Sequence, residues 1–266
     1  LPQGEDPKAL SLRYSIPQEL ILLWRKSYGQ ELTEKLLEAF QQRPALYIRV
    51  NTLRTSIEEL AKSLSEKGFT LTSLPFPKNA AVLEGEGSPA ALPEFQAGLF
   101  HVQDLSAQLA CTLLEAQPGQ TLCDCCAAPG GKTFTLAETL ENQGKVYSFD
   151  LYKGRVGLIR QGGERLGLSC IQAEQRDGQK SYEGLPPMDG VLCDVPCSGY
   201  GVIRRKPEIR YKPLASVKEL PELQLRILEN GASLVRPGIA GICYLHSKSP
   251  GKRLCGGTLF AGPSRV

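Results

Sequence analysis

The sequence lacks a long apolar run and any strong excess of one charge. No stretch of its 266 residues is apolar enough to span a bilayer, and no charged-then-apolar leader begins it. The 31 basic and 28 acidic residues leave a net charge of +3, so nucleic-acid binding would require local clusters of Arg and Lys. These absences predict a cytoplasmic protein with no membrane partner, and we expect a monomer.

Histidine and methionine are also scarce. The chain has two histidines, and no second pair of cysteines accompanies Cys123, Cys125 and Cys126 at zinc spacing, so we predict no metal site. The nine cysteines do not indicate a disulfide framework, because we predict a cytoplasmic protein and disulfides are rare in that compartment. Because the only methionine, Met188, is internal, we expect the chain to be a fragment of a longer protein.

The first part of the chain has the pattern of a small α/β module. Apolar residues recur at helical spacing over 16–40, and a compact strand is predicted over 45–50. A second helix follows the cap residue Ser56, and a further strand is predicted over 69–74. We assign residues 1–96 to this N-terminal helical and small α/β module.

From about Gly98 onward, predicted helices and strands alternate along the chain. The helices are predicted over 106–114, 133–140, 156–166 and 220–234, and the strands over 121–125, 146–149, 169–172, 190–193 and 239–244. This alternation predicts a doubly wound, mostly parallel sheet, and we assign residues 97–266 to it.

The strongest local signal is the run from Thr121 to Thr133, TLCDCCAAPGGKT. A buried strand ends in a turn of small residues that opens a helix, so a ligand can approach the backbone and the free N–H groups of the helix. The run is not a P-loop, because Cys126 stands in the place of the first glycine, and it is not Gly-x-Gly-x-x-Gly. A purely structural turn is the alternative, but the strand-to-helix context favours ligand binding.

Three carboxylates follow successive predicted strands, namely Asp150, Asp177 and Asp194. The first suits the two hydroxyls of a ribose, and a carboxylate one strand further along can accept from an adenine amino group. Each residue alone has the pattern of a cap or turn residue. Together, at one edge of one sheet, they favour a nucleotide-like ligand.

A third segment begins at Asp194 and carries the thiol of Cys197 three residues later, in a loop rich in Pro and Gly. Most lone cysteines are small buried hydrophobes, but a loop thiol is more often accessible. Arg204, Arg205 and Lys206 then form the densest basic cluster of the chain. Beside a nucleotide pocket, phosphate contact is favoured over a merely solvated face.

These segments resemble the Sun/RsmB family of RNA (cytosine-5) methyltransferases. The resemblance extends over 11–244 and includes the run Leu46-Tyr-Ile-Arg-Val-Asn-Thr-Leu-Arg54. It implies a Rossmann-like methyltransferase domain that binds S-adenosylmethionine, preceded by a small α/β RNA-binding module. The implied substrate is a cytosine in ribosomal RNA of the small subunit. The predicted RNA contacts are Arg49, Asn51, Arg204, Arg205 and Lys206.

By the same resemblance, the cofactor positions are Cys126, Ala127, Ala128, Pro129, Gly130, Gly131, Lys132, Asp150, Asp177 and Asp194. The implied reaction adds a thiolate to carbon 6 of cytosine, so that carbon 5 can attack the sulfonium methyl. The resemblance implies that Asp194 assists at ring nitrogen 3 and that Cys197 helps to release the methylated base. The target base must be unstacked to react.

The sequence departs from the family pattern after Tyr244. The attacking cysteine of the family lies there in a Ser-Thr-Cys-Thr motif, and Ser247 stands where the simplest alignment puts it. We predict that 245–266 is an aberrant tail produced by a frameshift. Codon degeneracy from Cys243 onward permits, but does not force, a sequence that encodes Ala-Thr-Cys-Thr-Leu-Asn-Pro-Arg-Glu-Asn when it is read one base later, and the nucleotide sequence tests this reading.

Two alternatives from other classes stay open. One is a catalytically dead fragment that binds RNA and cofactor but lacks the nucleophilic cysteine. Attack by Cys197 itself is conceivable, because DNA cytosine methyltransferases use a Pro-Cys thiol, but the family resemblance argues against it. The other is an unrelated dinucleotide enzyme, which the absence of Gly-x-Gly-x-x-Gly disfavours.

Overall fold

The computed structural model describes residues 3–236, 242–244 and 257–259, the last two ranges by their backbone alone. These residues form two compact units. Residues 3–44 and Pro196–Leu223 make up the first unit, and Ala45–Val195 with the described residues from Gln224 onward make up the second. Each unit has a hydrophobic core of its own.

The first unit is helical. Its elements are α1 (Pro7–Tyr14), α2 (Gln18–Tyr28), α3 (Gln30–Ala39) and the 3₁₀ helices Tyr200–Val202, Pro207–Tyr211 and Leu214–Val217. Asp6 begins α1 by accepting the backbone N–H groups of Lys8 and Ala9 at 3.0 and 3.1 Å. Its core consists of Leu10, Ile16, Leu20, Ile21, Trp24, Leu37, Tyr200 and Ile203. The helical pattern over 16–40 is therefore confirmed, with a break at Gly29.

The second unit begins with a small antiparallel sheet. Its elements are β1 (Tyr47–Val50), α4 (Ile57–Ser65), β2 (Thr70–Ser73), β3 (Ala80–Glu84), the 3₁₀ helix Pro89–Ala91, α5 (Pro93–Gln96) and β4 (Phe100–Val102). The strand order is β2-β3-β1-β4, so β1 lies inside the sheet. Ser56 and Glu59 form a reciprocal capping box at the start of α4, as the cap signal predicts. The small sheet takes its last strand from beyond residue 96.

The larger sheet of the second unit is doubly wound. Its elements are α6 (Leu105–Thr112), β5 (Thr121–Asp124), α7 (Gly131–Thr139), β6 (Lys145–Asp150), α8 (Lys153–Leu166), β7 (Ile171–Gln175), β8 (Gly190–Cys193), α9 (Leu220–Ser233), β9 (Ile242–Tyr244) and β10 (Gly257–Leu259). The strand order is β10-β9-β8-β5-β6-β7, and all neighbours are parallel except β9 and β10. The predicted doubly wound, mostly parallel sheet is confirmed.

The first strand of this sheet, β5, lies between β6 and β8, so the chain reverses its winding direction there. A crevice forms outside the carboxyl end of such a strand, and ligands bind there in open α/β sheets. The loop after β5 is the run that the sequence singles out. The predicted strand over 239–244 is described only at 242–244, and 239–241 lie outside the described residues.

Helix α9 packs closely on the sheet through Gly231. A Cβ atom at this position would lie 2.7 Å from Cys193 Sγ, so a larger side chain would push the helix away from β8. Among the described residues, no helix has both the length and the apolarity needed to cross a membrane.

Candidate active site

The loop between β5 and α7, together with the first two residues of α7, carries the predicted cofactor residues 126–132. Gly130 precedes the first residue of α7 with φ +117°, and no side chain caps the helix there. A Cβ atom on Gly130 would lie 2.3 Å from the Phe134 ring, so glycine is required by both conformation and space. The first N–H groups of α7 therefore remain available to an anionic or polar ligand group.

The loop presents backbone more than side chains. Ala127 and Ala128 are 5% and 9% exposed and belong to the hydrophobic core of the second unit, whereas Pro129 is exposed. Cys126 is half-buried, and burial, reinforced by neighbouring carboxylates, raises the pKa of its thiol. A thiol with a raised pKa stays protonated at neutral pH, so Cys126 is not poised as a nucleophile.

Lys132 and Asp194, predicted separately, meet in the structure. Lys132 Nζ lies 2.5 Å from Asp194 Oδ2 and donates a hydrogen bond to it. Burial opposes the charge on Lys132, but the Asp194 carboxylate outweighs burial and raises the pKa of the ammonium group. The pair joins the first turn of α7 to the residue that follows β8.

Asp150 is the last residue of β6 and is only 4% exposed. Its Oδ1 accepts the backbone N–H of Tyr152 at 3.1 Å, and its Oδ2 lies 3.3 Å from Arg155 Nη1. Arg155 also donates through Nη2 to the carbonyl oxygen of Ala128 at 2.9 Å. Arg155 therefore links the carboxylate to the loop after β5, a role that no pattern in the sequence indicates.

Asp177 lies two residues beyond β7, at the same edge of the sheet. Its Oδ1 accepts the N–H of Gln179 at 3.0 Å, and its carbonyl oxygen accepts the N–H of Lys180 at 3.0 Å. These contacts are those of a turn residue. Its predicted contact with a cofactor stays a prediction.

Sequence reasoning missed Asp124, the last residue of β5. The side chain is fully buried, and its Oδ2 accepts the hydroxyl of Thr133 at 2.8 Å, while Oδ1 has no hydrogen-bond partner among the described residues. Burial raises the pKa of Asp124 to about 7, against the opposing effects of Thr133 and Lys132. The strand-end position that singled out Asp150 would have identified Asp124 as well.

Arg49 and Asn51, predicted to contact RNA, have internal partners in the structure. Arg49 is 6% exposed, and its Nε lies 2.7 Å from Glu138 Oε2 in α7. Asn51 is fully buried and donates to the carbonyl oxygens of Gly98 and Leu166, each at 2.9 Å. The predicted RNA contact of these two side chains stays a prediction.

The remaining predicted residues lie in the first unit. Cys197 is a half-buried free thiol. Arg204 donates from Nε to the carbonyl oxygen of Gln42 at 2.9 Å and from Nη2 to that of Arg43. Arg205 and Lys206 are exposed. Of the predicted basic cluster, Arg204 therefore has a structural partner, and the next two residues lie at the surface.

Comparison with known proteins decides the family. Residues 111–245, just over half of the chain, match the family model described as 16S rRNA methyltransferase RsmB/F. The chain belongs to this family. Residues 16–88 match a second model, described as the ferredoxin-like domain of RsmF/B-like methyltransferases.

Individual relatives agree with this assignment. The probable ribosomal RNA small subunit methyltransferase B of Bacillus subtilis (strain 168) is 38% identical over 239 residues, which are 88% of this chain and 53% of the relative. The crystal structure of PH0851 matches with a TM-score of 0.85 at 32% identity, covering 92% of this chain and 56% of that one. A methyltransferase homolog protein from Pyrococcus horikoshii matches with a TM-score of 0.77 at 29% identity, covering 91% and 78%.

The chain spans about half the length of the curated relatives it matches. The RsmB/F match contains the loop after β5, the three strand-end carboxylates and Cys197. The ferredoxin-like match contains Arg49 and Asn51. Ser247, where the resemblance puts the attacking cysteine, lies outside both matched ranges and outside the described residues. The predicted frameshifted tail over 245–266 lies outside the described residues except for the backbone of 257–259, and only its first residue falls within a matched range.

Proposed function

We propose that this chain carries the cofactor-binding and RNA-binding parts of an enzyme that methylates carbon 5 of a cytosine in small-subunit ribosomal RNA. The observation that carries the proposal is the RsmB/F match over the whole of the predicted site, from the loop after β5 to Cys197. The curated relatives named ribosomal RNA small subunit methyltransferase B support the choice of substrate.

S-adenosylmethionine fits the groups at the end of β5. The uncapped start of α7 and the Gly130 backbone suit the carboxylate of its amino-acid end, because N–H groups at a helix start attract anions. The buried Asp150 carboxylate, oriented by Tyr152 and Arg155, suits the two ribose hydroxyls. When bound, the cofactor supplies an electrophilic methyl group on a sulfonium.

The chemistry at the base requires a thiolate that adds to carbon 6, which makes carbon 5 nucleophilic. Carbon 5 would then be able to accept the methyl group that the bound cofactor would supply, and removal of the proton from carbon 5 would let the thiolate leave. In this proposal Asp194, fixed by Lys132, assists at ring nitrogen 3, and Cys197 assists the release step. The base reaches this site only after it is unstacked from its neighbours.

A second candidate function is RNA and cofactor binding without turnover. The observation that favours it is Ser247 at the position where the family resemblance puts the attacking cysteine. In this case the chain would retain the cofactor pocket but would transfer no methyl group.

Cofactor binding is tested by calorimetry with S-adenosylmethionine on this chain and two variants. We expect Asp150→Asn to weaken binding at least about tenfold, because it removes one charged acceptor from the ribose. Glu174→Gln is the matched control, since Glu174 lies on the neighbouring strand β7 and pairs with Arg176. Equal affinity of all three proteins would contradict the assignment of the pocket.

Catalysis is tested by transfer of labelled methyl groups from S-adenosylmethionine to unmodified small-subunit ribosomal RNA. The intact chain is compared with Cys197→Ala. Cofactor binding without transfer by either protein would support the second candidate. Activity that Cys197→Ala abolishes would mean that Cys197 takes part in the reaction, and label at any atom other than carbon 5 would overturn the proposed reaction.

A further inference from the structure

The segment from Arg204 to Lys212 combines basic side chains with an exposed aromatic ring. Its sequence, RRKPEIRYK, holds five basic residues and one acidic residue. Such a concentration of positive charge suits a polyanion, and the chain as a whole, at +3, offers little attraction. The structure shows that the residues of this segment do not all serve the same purpose.

Two of the arginines are used to hold the segment in place. Arg204 donates to the carbonyl oxygens of Gln42 and Arg43 just after α3, and Arg210 donates from Nη1 to that of Ser15 at 3.1 Å. Guanidinium groups bound to backbone carbonyls at the ends of helices stabilise the segment on the first unit. These two cations therefore serve as anchors.

The apolar residues of the segment also fix its orientation. Ile203 is fully buried in the core of the first unit, and Ile209 packs against the same core. With these side chains directed inward, Lys206 is exposed at the start of the 3₁₀ helix Pro207–Tyr211. The anchored face and the exposed face are thus distinct.

Tyr211, at the end of this 3₁₀ helix, has 68% of its surface exposed. No other large apolar or aromatic side chain among the described residues has a larger exposed fraction. A ring held out in water on a rigid turn gains free energy when a flat group covers it, and nucleic-acid bases are flat. The neighbouring positive charge favours a base on a phosphate backbone over an apolar protein partner.

The spacing of the two exposed groups suits a single strand of RNA. A 3₁₀ helix rises about 2 Å per residue, so Lys206 and Tyr211 lie about 10 Å apart along the axis. Stacked nucleotides follow each other at about 3.4 Å, so this distance corresponds to roughly three of them. One strand can therefore place a phosphate at Lys206 and a base at Tyr211.

We propose that Tyr211 stacks on a base of single-stranded RNA while Lys206 contacts a phosphate of the same strand, on a platform anchored by Arg204 and Arg210. The proposal rests on the proposed function, because it presumes that RNA is the substrate. It adds an aromatic contact to a surface otherwise defined by charge alone.

The experiment measures binding of this chain to a labelled single-stranded RNA of about 16 nucleotides between 50 and 200 mM salt. Tyr211→Ala is expected to weaken binding about 5- to 100-fold at every salt concentration and to leave the salt slope unchanged. Lys206→Gln is expected to reduce the slope by about 0.7, the effect of one phosphate contact on a single strand. Tyr211→Phe keeps the ring and is expected to bind as the unmodified chain does.

Tyr211→Leu separates stacking from general apolar contact. If Leu binds as well as Tyr, or if Tyr211→Ala binds as well as the unmodified chain, the stacking proposal is overturned. If the unmodified chain binds no RNA at any salt concentration, the proposed function itself fails and the surface serves a different partner. Urea unfolding of each variant checks that the fold is retained, which is expected because Tyr211 is mostly exposed.

Discussion

Positively charged and polar side chains are used in opposite ways in two regions of the molecule. In β1 and the residue after it, Arg49 and Asn51 turn inward, where each finds a partner less than 3 Å away. In the segment after Cys197, Lys206 lies at the surface. Both regions were predicted to contact RNA. They differ in whether other parts of the protein cover the backbone segment on which these side chains lie.

The strand β1 is covered on both faces. Ile48 and Val50 point into the core of the small sheet, and Arg49, between them, meets Glu138 of α7 on the opposite face. Glu138 Oε1 also lies 3.3 Å from His101 Nδ1 of β4. Charge in a strand therefore predicts an external contact only where one face of the sheet is open to solvent.

The largest loss of stability is expected from a substitution that breaks the buried Arg49–Glu138 ion pair. Glu138→Ala should lower the free energy of unfolding by about 3–5 kcal/mol, because it leaves the Arg49 charge buried without its carboxylate. The measurement is urea unfolding. Glu174→Ala, which removes a partly exposed pair with Arg176, should cost at most about 1 kcal/mol. Equal losses in the two variants would contradict a distinct role for the buried pair.

A buried carboxylate without a cationic hydrogen-bond partner should show a pH effect. The pKa of Asp124 is raised from 3.8 to about 7, so its protonated form is favoured in the folded state. The resulting stability is complete below about pH 4 and is lost as the pH rises through about 7. Between pH 5 and pH 8 the intact chain should lose on the order of a few kcal/mol relative to Asp124→Asn. Parallel pH profiles in urea unfolding would rule out the raised pKa.

A buried neutral group should have a smaller effect. Asn51→Ala should lower the free energy of unfolding by about 2 kcal/mol, because the carbonyl groups of Gly98 and Leu166 lose their donor. Thr52→Ala, at the exposed neighbouring position, should change it by less than about 0.5 kcal/mol. Loss of RNA affinity by correctly folded Asn51→Ala would support the predicted RNA contact of Asn51.

The smallest changes in stability are expected within the basic segment, where they distinguish an anchoring arginine from an exposed lysine. Arg204→Gln should cost about 1 kcal/mol of stability, since it removes two hydrogen bonds at a partly exposed position. Lys206→Gln should leave stability within about 0.5 kcal/mol of the unmodified chain. Both changes remove one positive charge, so urea unfolding separates anchoring from net charge. Identical stabilities would mean that the Arg204 contacts contribute nothing.

Much of the fold was accessible from the sequence, because alternating helices and strands leave few arrangements of a doubly wound sheet. Among the strands β5 to β8, β7 had the least accurate boundaries, because it was predicted over 169–172 and is observed at Ile171–Gln175. Its residues Ala-Glu-Gln favour strand weakly, and they are tolerated because β7 is at the end of the described sheet order.

The residues of the candidate site could be predicted from the sequence where a carboxylate lies at the end of a strand, as Asp150 and Asp194 do. Contacts between distant residues were not, since neither the Lys132–Asp194 pair nor the link through Arg155 has a local sequence signal. The inward direction of Arg49 also depends on α7, which lies almost ninety residues further along the chain. These features arise only when separate elements pack together.

Helix α7 has a candidate cofactor contact at one end and the buried ion pair at the other. Its nine residues span about 13 Å, a length over which a helix behaves nearly as a rigid rod. A tilt at Glu138 therefore re-aims the N–H groups of Gly131 and Lys132 by a similar angle. We therefore expect changes in the small antiparallel sheet that disturb the Arg49–Glu138 pair to alter the affinity of the candidate site for its proposed cofactor.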